Sequence, residues 1–107
     1  MTEQERVERL AKWIGFKKHP HDGWVSPDGF QYSIPDLLHD LTTLFKWAKP
    51  KLFRWAITNV GLDSSKSYAM AEIEGKNGLI YQANAIADEP AQALFDAIEK
   101  LLDMEER

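Results

Sequence analysis

The chain has no cysteine. Disulfides, thiol nucleophiles and thiolate metal sites are therefore excluded together. It also lacks any apolar run near the roughly 18 residues that a membrane span needs. The opening Thr2-Glu3-Gln4-Glu5 is acidic and helical in character, unlike a signal peptide, so a cytoplasmic setting without membrane contact is expected. Internal repeats, linkers and low-complexity segments are missing too. Between Leu41 and Leu62 acid is missing: Lys46, Lys49, Lys51 and Arg54 stand there without a carboxylate.

What is present fits one folding unit. The 107 residues are 44% apolar and 28% charged, which predicts a single domain over residues 1–107 with its own core. The net charge of −4 argues against a dedicated duplex binder. Acids crowd the last stretch, from Asp88 to Glu106, so the acid-free segment is the one region with a positive sign of its own. Aromatic content is 11%, including four tryptophans. That is generous for this length and supplies either a core or a binding surface.

Hydrophobic spacing sets the expected elements. Thr2-x-x-Glu5 is a capping box for a first helix. Val7, Leu10, Ala11 and Ile14 follow at helical spacing, and Gly15 suits a left-handed end. Ser26-Pro27-Asp28-Gly29 is a tight-turn sequence. With Trp24-Val25 before it and Phe30-Gln31-Tyr32 after it, a small hairpin is expected around that turn. Ser33 and Pro35 predict the start of a second helix, whose stripe is Leu37, Leu38, Leu41, Leu44, Phe45 and Ala48, and which Pro50 ends. Leu52 to Val60 alternates as a strand. Tyr68 to Glu74 and Leu79 to Ile86 flank Asn77-Gly78 as a second hairpin. Pro90 opens a last helix with Ala91, Leu94, Phe95, Ile98, Leu101 and Leu102 on one face.

The expected fold is α+β: three helices and a central antiparallel sheet of about three main strands plus a short hairpin, layered as a three-layer α/β/α sandwich. Apolar residues on both faces of the last strand predict cover on both faces. Alanines at 69, 71, 83 and 85 predict close approach of a helix.

Four segments carry a resemblance: Trp13-Ile14-Gly15-Phe16, Trp24-Val25-Ser26-Pro27-Asp28-Gly29, the strand with Phe53-Arg54-Trp55, and Ala87-Asp88-Glu89-Pro90-Ala91-Gln92-Ala93-Leu94. Together they resemble the bacteriophage ABA-sandwich family of small prophage proteins. The resemblance implies a phage or prophage origin and a three-layer fold. That family has no established activity, so no catalytic residues follow from it. Helix, three strands, helix is also the order of a double-stranded-RNA-binding domain. There a lysine cluster opens the last helix; here Asp88-Glu89-Pro90 would repel phosphate.

Candidate sites follow from residue types. His19, His21 and Asp22 have the donors for a metal, with His39 as a distant third imidazole. Two histidines in a loop are more often surface residues, and His39 and Asp40 are helix neighbours that do not face one another. Ser33, Ser64, Ser65 and Ser67 lie in no nucleophile-elbow sequence. A metal-dependent or hydrolytic enzyme is therefore the third reading, and no catalytic residue, metal or cofactor is assigned. Lys46, Trp47, Lys49, Lys51, Arg54 and Trp55 interleave cations with rings, which suits single-stranded nucleic acid; helix ends also gather lysine for dipole reasons. Trp24, Phe30 and Tyr32 bracket the expected turn, and such aromatics are favoured at protein interfaces. The first expectation is a protein–protein interaction module modulating a host or phage protein through Trp24, Phe30 and Tyr32. Self-association through an open sheet edge belongs to the same reading. Nucleic-acid binding through residues 46–55 is the second.

Overall fold

In the computed structural model, residues 1–19, 23–30, 33–60 and 65–106 are described, those at 59 and 60 by backbone only. The first helix, α1, spans Glu3–Ile14 and opens on the full capping box: the Glu5 N–H donates to Thr2 Oγ1 at 3.1 Å. Gly15 closes it at φ +121°, its N–H donating to the carbonyls of Ala11 and Lys12. A side chain there would press on Pro27.

The short hairpin exists but lies earlier than the sequence reading put it. Its strands are β1, Lys17–His19, and β2, Gly23–Val25, paired antiparallel. The Ser26–Gly29 turn does form, with Gly29 N–H donating to the Ser26 carbonyl at 2.9 Å. β2 before it pairs back with β1, and Phe30 after it lies in no strand. Asp28 accepts from Ser26 Oγ and from the Phe30 N–H, and this local bonding competes with strand pairing for the backbone. Residues 31 and 32 lie outside the described ones.

The second helix, α2, is shorter than its apolar stripe: it spans Leu41–Ala48. Asp40, not Ser33, is its N-cap, accepting from Thr43 N–H at 3.2 Å. Asp36 accepts from His39 N–H, which folds 37–39 into a turn of its own. That turn still buries Leu37 and Leu38. Each carboxylate offers the backbone a local partner, so one apolar stripe is cut into a turn and a helix. A 3-10 turn at Lys49–Lys51 leads out of α2.

Three antiparallel strands form the main sheet: β3, Arg54–Val60, β4, Lys66–Glu74, and β5, Ile80–Ala87, in that spatial order. The turn between β4 and β5 has Gly78 at φ +82° and Gly75 N–H donating to the Leu79 carbonyl at 2.7 Å. The last helix, α3, spans Pro90–Glu105. The α+β class, with three helices, a three-stranded antiparallel sheet and a two-stranded hairpin, stands as the sequence predicts.

The core lies against one face of this sheet. Ala69, Ala71, Ala83 and Ala85 are all buried on it, and α3 brings its own Ala93 and Ala97 beside Leu94, Phe95 and Ile98. Small side chains on both partners let helix and strands come close without voids. The expectation of cover on both faces is corrected at the last strand. Ile80 is 45% exposed and Ile86 58% exposed. They share the opposite face with Gln82 and Asn84. The alternation there is half polar, and an antiparallel sheet can leave such a face to water.

α1 is tied to α3 by ions. Arg6 bonds both Asp96, at 2.8 Å, and Glu99, and its guanidinium lies 5.4 Å from the Phe95 ring centroid. Arg9 bonds Asp103 and Glu106. Burial pushes the Asp96 carboxyl up even though Arg6 opposes the rise. The acidic stretch from Asp88 onward is thus partly spent on holding α1.

Candidate functional site

The sites expected from sequence separate in three dimensions. Of the first trio, Trp24 is only 9% exposed and belongs to the core, with Lys12 and Lys18 about 6 Å from its ring. It is a packed residue and not a projecting anchor, because β2 turns it into the core cluster. Phe30 stands out at 87% exposure. Tyr32 lies outside the described residues.

Among the described residues, His19 and His39 belong to no ligand set. His19 is exposed on β1 opposite Gly23. His39 has partners of its own. Its Nε2 lies 2.8 Å from Glu3, and its Nδ1 lies 3.8 Å from Glu89. The hydrogen bond to Glu3 raises the imidazole pKa, with Asp36 and Glu89 adding to the rise. His39 thus joins the starts of α1 and α3. His21 lies outside the described residues. Among the described residues, His, Asp and Glu form no group of three suited to a metal ion. Lys66 pairs with Asp88, so it is not poised as a base for a neighbouring serine.

The acid-free segment is the one that gathers. It runs through the end of α2, the Lys49–Lys51 turn and the start of β3. Trp47 is half-buried with its ring edge-on to Phe16 at 5.0 Å, so it serves packing. Trp55 is different. It stacks at a tilt on Phe45, 4.6 Å between centroids, yet stays 41% exposed. Phe53, two residues earlier and just before the strand, is 57% exposed. A shallow groove here is lined by Lys49, Leu52, Phe53, Arg54, Trp55 and Met70.

Strand register decides the charge of this edge. Arg54 sits opposite Glu72, and the pair bonds through Nε–Oε2 at 3.1 Å. Gln82 donates to the same carboxylate at 3.3 Å. Glu72 is only 8% exposed, so a buried carboxylate is satisfied by partners from both neighbouring strands. Arg54 is therefore spoken for. Lys46, Lys49 and Lys51 are exposed and take part in no ion pair among the described residues. Lys46 lies close enough to Asp28 to help its carboxyl stay ionised, after the bond from Ser26.

Sequence reasoning grouped Trp55 with the lysines but passed over Phe53 as a site residue. The available signal was the pairing of two large rings at i and i+2 beside an acid-free stretch. It missed Glu72 altogether, because only strand pairing brings residue 72 to residue 54. Among the described residues no helix is long and apolar enough to cross a membrane. No family model matches the sequence, and no curated protein or solved structure does either.

Proposed function

We propose that this chain is a protein-interaction module and not an enzyme, acting on a host or phage protein as the resemblance to the phage ABA-sandwich family suggests. The observation that carries this reading is the exposure of Phe53 and Trp55 in one groove at the start of β3, a strand that among the described residues pairs with β4 alone. Large rings half out of water at a strand margin are poised to gain from burial against a partner. Lys49, which lines the same groove, contributes to partner choice and approach. Phe30 adds a further exposed ring on a tight turn that approaches Lys46.

A tagged pull-down from bacterial lysate tests it, run with and without nuclease, and repeated with a Phe53→Ser/Trp55→Ser double variant of checked fold. One protein that survives nuclease and is lost with the variant supports the reading. Equal enrichment by the variant would move the interface elsewhere. The second reading, single-stranded nucleic acid, draws on the same rings with Lys46, Lys49 and Lys51. It is weakened by the neutralisation of Arg54 and by the packing of Trp47. Its mark would be affinity that falls steeply with salt.

A further inference from the structure

We propose that Asn77 is a self-modification site, where the nitrogen of Gly78 attacks the side-chain amide and converts it to a carboxylate, and that Tyr81 restrains this reaction. The inference goes beyond the interaction reading and needs no partner. Asparagine is a thermally labile residue, and the residue after it governs how easily its amide is attacked. Asn59, Asn77 and Asn84 are the asparagines of the chain, and they precede Val60, Gly78 and Ala85. Glycine has no Cβ to shield its nitrogen. A Cβ built at Gly78 would meet no atom of the described residues within 4 Å, so the approach is open. Asn84 lies inside β5, opposite Met70 of β4, and is held extended there. Asn77 lies on the exposed turn between those two strands.

The step balances with water as the sole co-reactant. The Gly78 nitrogen gives up its proton and bonds to Asn77 Cγ. The Cγ–Nδ2 bond breaks, and Nδ2 leaves as ammonia with that proton. Water then opens the cyclic imide at one of its two carbonyls. One opening leaves aspartate. The other leaves isoaspartate, whose backbone runs through the former side chain and is longer by one carbon. The turn holds one group that helps and two that hinder. Leu79 N–H donates to Asn77 Oδ1 at 3.1 Å, which steadies the negative charge that gathers on that oxygen during attack. Gly78 N–H donates to the Gly75 carbonyl at 3.0 Å, so the nucleophile must first leave a bond. Asn77 Nδ2 donates to the Tyr81 hydroxyl at 3.1 Å, which fixes the amide. The Tyr81 ring is half-buried and lies across Gly75, so this anchor does not swing with the turn. Reaction therefore needs a local opening that breaks both restraining bonds. Loss of one exposed hydrogen bond shifts such an equilibrium by about threefold.

The test follows the full chain in warm, mildly alkaline buffer, folded or unfolded in guanidinium. Mass spectrometry of its peptides reads aspartate and isoaspartate at positions 77 and 84. We expect product at Asn77 well ahead of Asn84. The unfolded chain, free of both restraints, should convert about tenfold faster than the folded one. Tyr81→Phe keeps the ring and removes the hydroxyl. It should speed the folded chain about threefold and leave the unfolded rate unchanged. Gly75→Ala displaces the same ring by another route and should also speed the folded chain, so the outcome does not hang on one variant. The proposal is overturned by no conversion in the folded chain, by equal rates folded and unfolded, by conversion of Asn84 as fast as Asn77, or by an unchanged or slower rate in folded Tyr81→Phe. A slower rate would make the Tyr81 hydroxyl a proton donor to the leaving nitrogen and not a restraint.

Discussion

Changing Gly75 to alanine should destabilise the protein in the wild-type background and stabilise it once Tyr81 is shortened. Gly75 has no positive φ that would forbid a side chain. The obstacle is its neighbour. A Cβ at this position would lie 2.3 Å from Tyr81 Cε2 and 3.0 Å from Cδ2, where ordinary carbon contact is about 3.5–4.0 Å. The ring must retreat by more than about an ångström. It is half-buried against the core, and its hydroxyl accepts from Asn77 Nδ2 at 3.1 Å. Pushing it off its rotamer costs about 0.5–1.5 kcal/mol. Losing the exposed hydrogen bond costs about 0.5–1 kcal/mol more. Against this, alanine for glycine restrains the unfolded chain and contributes about 0.4–1 kcal/mol of stability. The net loss is therefore about 0–2 kcal/mol, centred near 1 kcal/mol. In a Tyr81→Val background nothing occupies the ring position, so the same Gly75→Ala change should become neutral or stabilising by up to about 1 kcal/mol. Urea unfolding of the four proteins in a double-mutant cycle measures both signs. If the substitution costs the same in both backgrounds, the clash argument is wrong.

Other consequences are open to measurement. His39 has its pKa raised above 6.5 by Glu3 and its acidic neighbours, so its contribution is complete below that value and fades as pH rises through the raised folded pKa. Melting temperature in low salt should fall from mildly acidic to mildly alkaline pH more steeply for the wild type than for His39→Gln. Leu94 is fully buried between α3 and the sheet, and Leu94→Ala should cost about 2–5 kcal/mol in denaturant unfolding. Arg54→Ala takes the stronger partner from the nearly buried Glu72. A loss of about 1 kcal/mol is expected, kept small by Gln82 and by the exposure of Arg54, and Arg54→Ala in a Glu72→Gln background should cost much less. Thr2→Ala removes the hydroxyl that accepts from the Glu5 N–H, while the backbone half of the capping box stays, and should cost about 1 kcal/mol, read as a fall in melting temperature.

Local chemistry let the sequence specify most elements by itself. The capping box at Thr2, the Gly15 end, the Asn77-Gly78 turn and the Pro90 start each depend on neighbours in the chain, and each appears where the residues put it. Alternation placed β3, β4 and β5, and the alanines on β4 and β5 announced a close helix. Where two local signals competed, the reading slipped. Asp36 and Asp40 divided one apolar stripe into a turn and a helix.

Tertiary structure decided what lies beyond a residue's own neighbourhood. No periodicity distinguishes Trp24, turned inward, from Phe30, left in water. Periodicity does not show that Glu72 claims Arg54 while Lys46, Lys49 and Lys51 take part in no ion pair among the described residues, or that Lys100 reaches back from α3 to the Asn84 carbonyl. Those outcomes depend on contacts between residues far apart in the chain. Side-chain spacing fixes which face a residue shares with its neighbours, but only packing fixes what that face meets.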